Sequence, residues 1–138
     1  MLHIVKATGR KLAYDTSSGA VIPLSALAYK MLGALETPLA PTCPTSLRYE
    51  LAKYDSEDVS ETYESLYELQ ENGFLFAKDR GVVSLRLDGE YSAQSNEEIE
   101  LLLKTAASDE HGRKFAAVGG TEEQRNHALE NAKKYGLM

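Results

Sequence analysis

Three histidines and one cysteine are the side chains here best suited to metal or nucleophilic chemistry, and their spacing assigns them to neither. His3, His111 and His127 lack H-x-x-x-H spacing, and no cysteine or carboxylate cluster surrounds them, so no zinc ligand set emerges. Cys43, between Thr42 and Pro44, has no base partner in the sequence and is the single thiol. That excludes an internal disulfide, a CxxC redox pair and a cysteine-ligated iron–sulfur cluster of the chain's own. Gly119-Gly120-Thr121 precedes a helix, where amides can meet an anion, but the G-x-x-x-x-G-K-[ST] phosphate loop is absent and a capped turn accounts for the residues. The sequence therefore predicts no catalytic residue, no metal site and no cofactor.

Binding chemistry is the more promising direction, and it concentrates on Ser56–Gly73, SEDVSETYESLYELQENG. Glu57, Asp58, Glu61, Glu64, Glu68 and Glu71 make this helix acidic, and it has no Lys or Arg. Cations supply most of the affinity for nucleic acid, so a duplex would be repelled. Its apolar residues form two flanks: Val59, Thr62, Leu66 and Leu69 on one, Tyr63, Tyr67 and Gln70 on the other. The first suits a core. Two tyrosines one turn apart, each apolar with a hydrogen-bonding tip, suit a recognition surface as well as a core edge.

The elements that would position this helix follow from periodicity. Leu2–Ala7, Lys11–Asp15 and Ala20–Leu24, separated by Thr8-Gly9-Arg10 and Thr16-Ser17-Ser18-Gly19, predict a three-stranded antiparallel meander. Leu24, Leu27, Ala28, Met31, Leu32 and Leu35 form the stripe of a helix capped by Ser25. Three prolines make 37–44 a loop, and a short helix over Ser46–Tyr54 buries Leu47, Leu51 and Tyr54. Ser56 is the expected cap of the third helix and Gly73 its stop. Phe74–Lys78 and Val82–Leu87, joined by Asp79-Arg80-Gly81, predict a β-hairpin, the wing of a winged helix.

Residues 89–95 are polar and predict a linker. Ser95 with Glu98, and Thr121 with Gln124, form capping boxes for two further helices. The first has the stripe Ile99, Leu102, Leu103 and Ala106; the second, ending near Tyr135-Gly136, has the thin face Ala128, Leu129, Ala132 and Tyr135. The predicted organisation is a winged-helix domain over 1–88, a linker over 89–95 and a helical appendage for docking or dimerisation over 96–138. The fold class is α+β.

A chain of 138 residues holds one domain, or a domain of roughly 90 residues with an appended segment, and needs no disulfide to fold. The net charge of −6 favours basic or neutral partners over nucleic acid and anionic lipid. No apolar run is long enough to span a bilayer and MLHIVKATGRK has no signal-peptide core, so the expected location is the cytoplasm.

In a meander the first and third strands each have an open side, and an open side is a template for an added strand. If Ala20–Leu24 is an edge beside the third helix, the groove between them would accept an extended peptide.

Two stretches carry a family resemblance: MLHIVKATGRKLAYDTSSGAVIPLSALAYKML and SEDVSETYESLYELQENGFLF. Residues 1–79 resemble the RiPP recognition element, the PqqD-like peptide-binding domain, and within it the N-terminal domain of SCIFF-type radical SAM maturases. The resemblance implies non-enzymatic binding of the leader segment of a ribosomally made precursor peptide. The leader would dock as an extra antiparallel strand on Ala20, Val21, Ile22 and Leu24, held from the other side by Val59, Tyr63, Leu66, Tyr67 and Gln70. The implied partners are that peptide and a separate radical SAM or other modifying enzyme.

Two features depart from the pattern. Pro23 has no N–H for a ladder, and the C-x-x-x-C-x-x-C cluster motif of the maturase is missing. The rival readings are a winged-helix transcription regulator, which calls for a basic stripe, and a structural adaptor derived from a maturase N-terminal domain.

Overall fold

Thr8 and Gly9 both take left-handed dihedrals, φ 48° and 79°, which makes the two-residue turn that matches strand twist. That turn joins β1 (Leu2–Ala7) to β2 (Arg10–Asp15), with Ala7 opposite Arg10 and Leu2 opposite Asp15. β3 (Val21–Pro23) pairs antiparallel with β2, giving the order β1-β2-β3. A computed structural model describes residues 1–35, 38–109 and 114–138. Thr37, read above as part of a loop, and His111, weighed above as a metal ligand, lie outside these. Within them the chain is mixed α+β, with an N-terminal three-stranded antiparallel sheet and C-terminal helices.

The period-two alternation sends the strand side chains to two different cores. Leu2, Ile4, Ala13, Ala20 and Ile22 join a cluster with the first three helices. Val5, Ala7, Leu12, Tyr14 and Val21 join a second with the C-terminal half. The sheet is thus a middle layer, covered on both faces.

On the first face lie α1 (Ala26–Gly33), α2 (Thr45–Glu50) and α3 (Ser56–Glu71). Ser25 Oγ accepts from the Ala28 N–H at 3.1 Å, the cap its position predicts. At α3 the cap is Asp55, one residue earlier than expected: its carboxylate accepts from the Glu57 N–H at 2.9 Å, and Ser56 is already helical. Gly73, at φ +82°, takes the chain out of α3. α2 is shorter than the predicted 46–54, ending at Glu50, although Leu47 and Leu51 are buried as expected.

The predicted wing hairpin does not form. Phe74–Lys78 is not a strand; its Phe74 carbonyl accepts from Ser18 Oγ at 2.9 Å and its Ala77 N–H donates to Asp15 Oδ2 at 2.9 Å. β4 (Val82–Arg86) instead pairs in parallel with β5 (Lys114–Val118), a strand the sequence reading missed. The reason lies in hydrogen-bond capacity. The Ser84 N–H donates to the Thr16 carbonyl at 2.8 Å and the Arg86 N–H to the Gly19 carbonyl at 3.2 Å, so one side of β4 meets the β2–β3 turn and the other meets β5. No side of β4 is left for Phe74–Lys78.

Parallel pairing requires a crossover, and α4 (Asn96–Asp109) supplies it. Ser95 Oγ accepts from the Glu98 N–H at 3.2 Å, while the Glu98 carboxylate takes the Gln94 N–H at 2.8 Å, so the predicted box is closed one residue early. At α5 (Glu122–Lys134) the Thr121–Gln124 box is complete. Ile99, Leu102, Leu103 and Ala106 of α4, with Ala128 and Ala132 of α5 and the following Leu137, pack under the sheet's second face. The thin α5 face works because alanines allow close approach; Leu129 stays exposed. Among the described residues no helix is long and apolar enough to cross a membrane.

Candidate peptide-binding site

α3 packs against α1 and directs its two predicted flanks differently. Val59 and Leu66 are core, as is Tyr63, only 2% exposed. Tyr67 and Gln70 are half-buried and Leu69 packs at the cluster's margin. Tyrosine at position 63 reconciles burial with polarity because its hydroxyl finds an acceptor, donating to the Ala40 carbonyl at 2.7 Å. Burial, with the Cys43 thiol as a lesser cause, pushes the Tyr63 phenol above its ordinary pKa of 10.0. Tyr67 is also raised, by desolvation first and then by Glu71.

Gln70 makes the most informative contact of the helix. Its Oε1 accepts from the Leu39 N–H at 2.5 Å and its Nε2 donates to the Leu39 carbonyl at 3.0 Å. One side-chain amide thereby satisfies both main-chain groups of a single residue, as a neighbouring strand would. Leu39 itself is buried in the cluster. Residues 38–43, which include Pro38 and Pro41, thus form a strap across the α3 flank, held mainly through backbone atoms. The sequence reading identified this segment as a loop but not its seat; a proline-spaced segment and a Tyr/Gln flank on α3 were the available signal.

The nine expected peptide-contacting residues divide by exposure. Ala20, Val21, Ile22, Val59, Tyr63 and Leu66 are buried, and Leu24, Tyr67 and Gln70 are partly accessible. β3 is an edge of its sheet. Asp15 N–H donates to the Ala20 carbonyl and Leu24 N–H to the Lys11 carbonyl, so by alternation Ile22 also bonds β2 while Val21 and Pro23 turn their main-chain groups outward. Val21 is fully enclosed and Pro23 is exposed but lacks a donor.

Asp15 anchors the region. Fully buried, its Oδ1 accepts from the Ser17 and Ser18 N–H groups and its Oδ2 from Ala77, with the N-terminal ammonium 3.9 Å away. This joins the chain start, the β2–β3 turn and the exit of α3 at one carboxylate.

The groups weighed for other chemistry are dispersed. His127 lies 3.1 Å from Asn131 and 3.6 Å from Glu100, His3 is buried on β1, and the Cys43 thiol donates to the Pro44 carbonyl at 3.8 Å. Arg125 donates to the Gly119 and Gly120 carbonyls at 3.2 and 2.7 Å, tying the glycine turn to α5. Among the described residues no group of three or more His, Cys, Asp or Glu side chains could hold a metal ion. No protein-family model matches the chain, and no curated protein matches it.

Proposed function

We propose that the chain is a non-enzymatic binding module for extended polypeptide, of the RiPP recognition element kind. It would take the leader segment of a ribosomally made precursor and present it to a separate modifying enzyme, a radical SAM enzyme being the type the resemblance implies. The place of action in this reading is the cytoplasm. Three helices packed on a three-stranded antiparallel meander support this reading.

The observation that supports the reading best is the seat of the strap. α3 already holds a loop segment by its main-chain atoms, through Gln70 on Leu39 and Tyr63 on Ala40. Backbone recognition tolerates sequence variety in the guest, and the half-buried Tyr67 beside it supplies selectivity. The guest would take the place of Leu39–Ala40 on α3 and run on along β3 at its exposed Pro23–Leu24 end.

Leader segments of any short Cys-rich peptides found encoded in the neighbouring genes, titrated against the parent and two variants, test the proposal. Leu39→Ala loosens the strap and should tighten binding. Tyr67→Ala should weaken it by about 1–2 kcal/mol, the usual scale of an anchoring tyrosine. Unchanged affinity in both variants, or no leader bound by any of the three, would sink the reading.

A further inference from the structure

The other margin of the sheet is the less obstructed one. A two-residue turn makes Ala7 and Arg10 exchange both hydrogen bonds, and alternation then makes Val5/Leu12 and His3/Tyr14 do the same. Leu2, Ile4 and Lys6 consequently turn their N–H and C=O groups away from β2. No hydrogen bond among the described residues uses these groups. Leu2 and Ile4 are half-buried and Lys6 is exposed, and proline is absent from the strand. This is an unbroken ladder of three donors and three acceptors.

Beside it lies the chain's local excess of positive charge. Lys6 and Lys11, directly opposite each other in the β1–β2 register, both place their ammonium groups over the Tyr29 ring, at 5.3 and 5.6 Å from its centre. Lys30 and Lys53 do the same at Tyr54, at 5.3 and 5.6 Å. Like charges directly opposite one another repel, and the ring faces offset this only in part. None of the four lysines has a carboxylate within 4.0 Å among the described residues. The field reaches the Tyr54 phenol, whose pKa is lowered first by its hydrogen bond with Lys30 and further by Lys53 and Lys11.

A protein of net charge −6 that sets Lys6 and Lys11 on the β1–β2 pair, with Lys30 and Lys53 at Tyr54 and no carboxylate partner for the four among the described residues, is complementary to an anion there. We infer that β1 is a docking edge for an extended acidic polypeptide, which adds as a strand to Leu2, Ile4 and Lys6 and sets its carboxylates against Lys6, Lys11 and Lys30. The ladder selects polypeptide over nucleic acid, because alternating N–H and C=O groups have no counterpart in a phosphodiester backbone. Side chains two apart on the guest face the helical side of the sheet, so apolar residues meet Leu2 and Ile4 while acidic ones meet Lys6. A second copy of the chain is the poorer occupant, since pairing β1 with itself leaves both lysine groups unmatched.

The test selects a displayed library of random nine-residue peptides on the full chain. Peptides carrying two apolar residues two positions apart, with an acidic residue two positions beyond them, should be enriched. The selected peptides should lose about 10-fold or more in affinity for Lys6→Glu/Lys11→Glu, should weaken steeply with salt, and should bind Tyr67→Ala as well as the parent. Lys6→Pro, which removes one outward N–H and no bond to β2, should weaken them as well, with thermal melting to verify that each variant is folded. Enrichment without acidic bias, indifference to the charge reversal, or displacement by oligo(dT) each overturns the proposal. A dimer in sedimentation that Lys6→Pro abolishes assigns the margin to a second copy and also overturns it. Because Tyr67→Ala is neutral here, the outcome is separate from that for the α3 strap.

Discussion

Arg10 donates to the Glu98 carboxylate at 2.8 Å, bridging the first hairpin and the start of α4 across 88 positions of sequence. Glu98 is 1% exposed and Arg10 about a quarter exposed, so the pair is largely withdrawn from water. Glu98 also accepts from Thr8 Oγ1 at 3.3 Å and from the Gln94 N–H at 2.8 Å. Its position as the third residue of α4 adds the favourable end of the helix dipole.

Removing one partner of such a pair leaves the other charge buried. Arg10→Met should cost about 3 kcal/mol in urea unfolding, while the double change Arg10→Met/Glu98→Leu should recover part of that loss. A double variant as unstable as the sum of its parts would show that the two groups act separately.

Gly119 should tolerate no side chain. A Cβ built there lies 2.1 Å from Asp88 Cγ, and the residue sits at φ +75°. Gly119→Ala should destabilise the protein by roughly 2 kcal/mol or more in thermal or urea unfolding, and Asp88→Ala in the same chain should restore part of it. Gly9, which has open space around its Cβ position but φ +79°, should lose only the smaller left-handed cost, about 1 kcal/mol.

Pro23 sets how far strand addition can run along β3. Its main-chain position faces outward and it lacks a donor. Pro23→Val should restore one ladder bond and tighten a guest on β3 by about 1 kcal/mol in calorimetry. A guest whose affinity is unmoved does not pair at this position.

Alkaline titration of tyrosine absorbance should separate two residues. Tyr54 ionises early because of Lys30, and Lys30→Met should return it towards 10.0. Tyr63 ionises late because burial disfavours its phenolate. Its raised folded pKa means that the unfolded chain gives up the proton first, so the stability it confers is complete below about pH 10 and declines as pH rises through the folded value. Tyr63→Phe should remove that part of the alkaline decline, read from urea midpoints above pH 10.

The meander, α1, α3 and the two C-terminal helices were legible because their signals are local. Thr8-Gly9 specifies a turn by its own dihedrals, Ser25 and Thr121 cap the residues that follow them, and the stripe through Leu27, Met31 and Leu32 identifies α1's buried face. β4 illustrates the opposite case. Val83 and Leu85 alternate as a strand must, but alternation names no partner, and the nearest apolar stretch, Phe74–Lys78, was the wrong one.

The expected guest residues show the same division. Sequence placed Tyr63, Tyr67 and Gln70 on one flank of α3, and 3.6-residue periodicity suffices for that. That Gln70 and Tyr63 are occupied by the main chain of Leu39 and Ala40 follows from packing alone, since neither spacing nor residue type encodes which backbone an amide will reach. Local dihedral preference and periodicity thus determined the elements and their apolar faces. Tertiary structure decided the partners: β4 beside β5, the C-terminal helices under the sheet's second face, and a strap on α3. A pairing across tens of residues depends on which surfaces remain unfilled once every other element is in place, and that is a property of the whole chain.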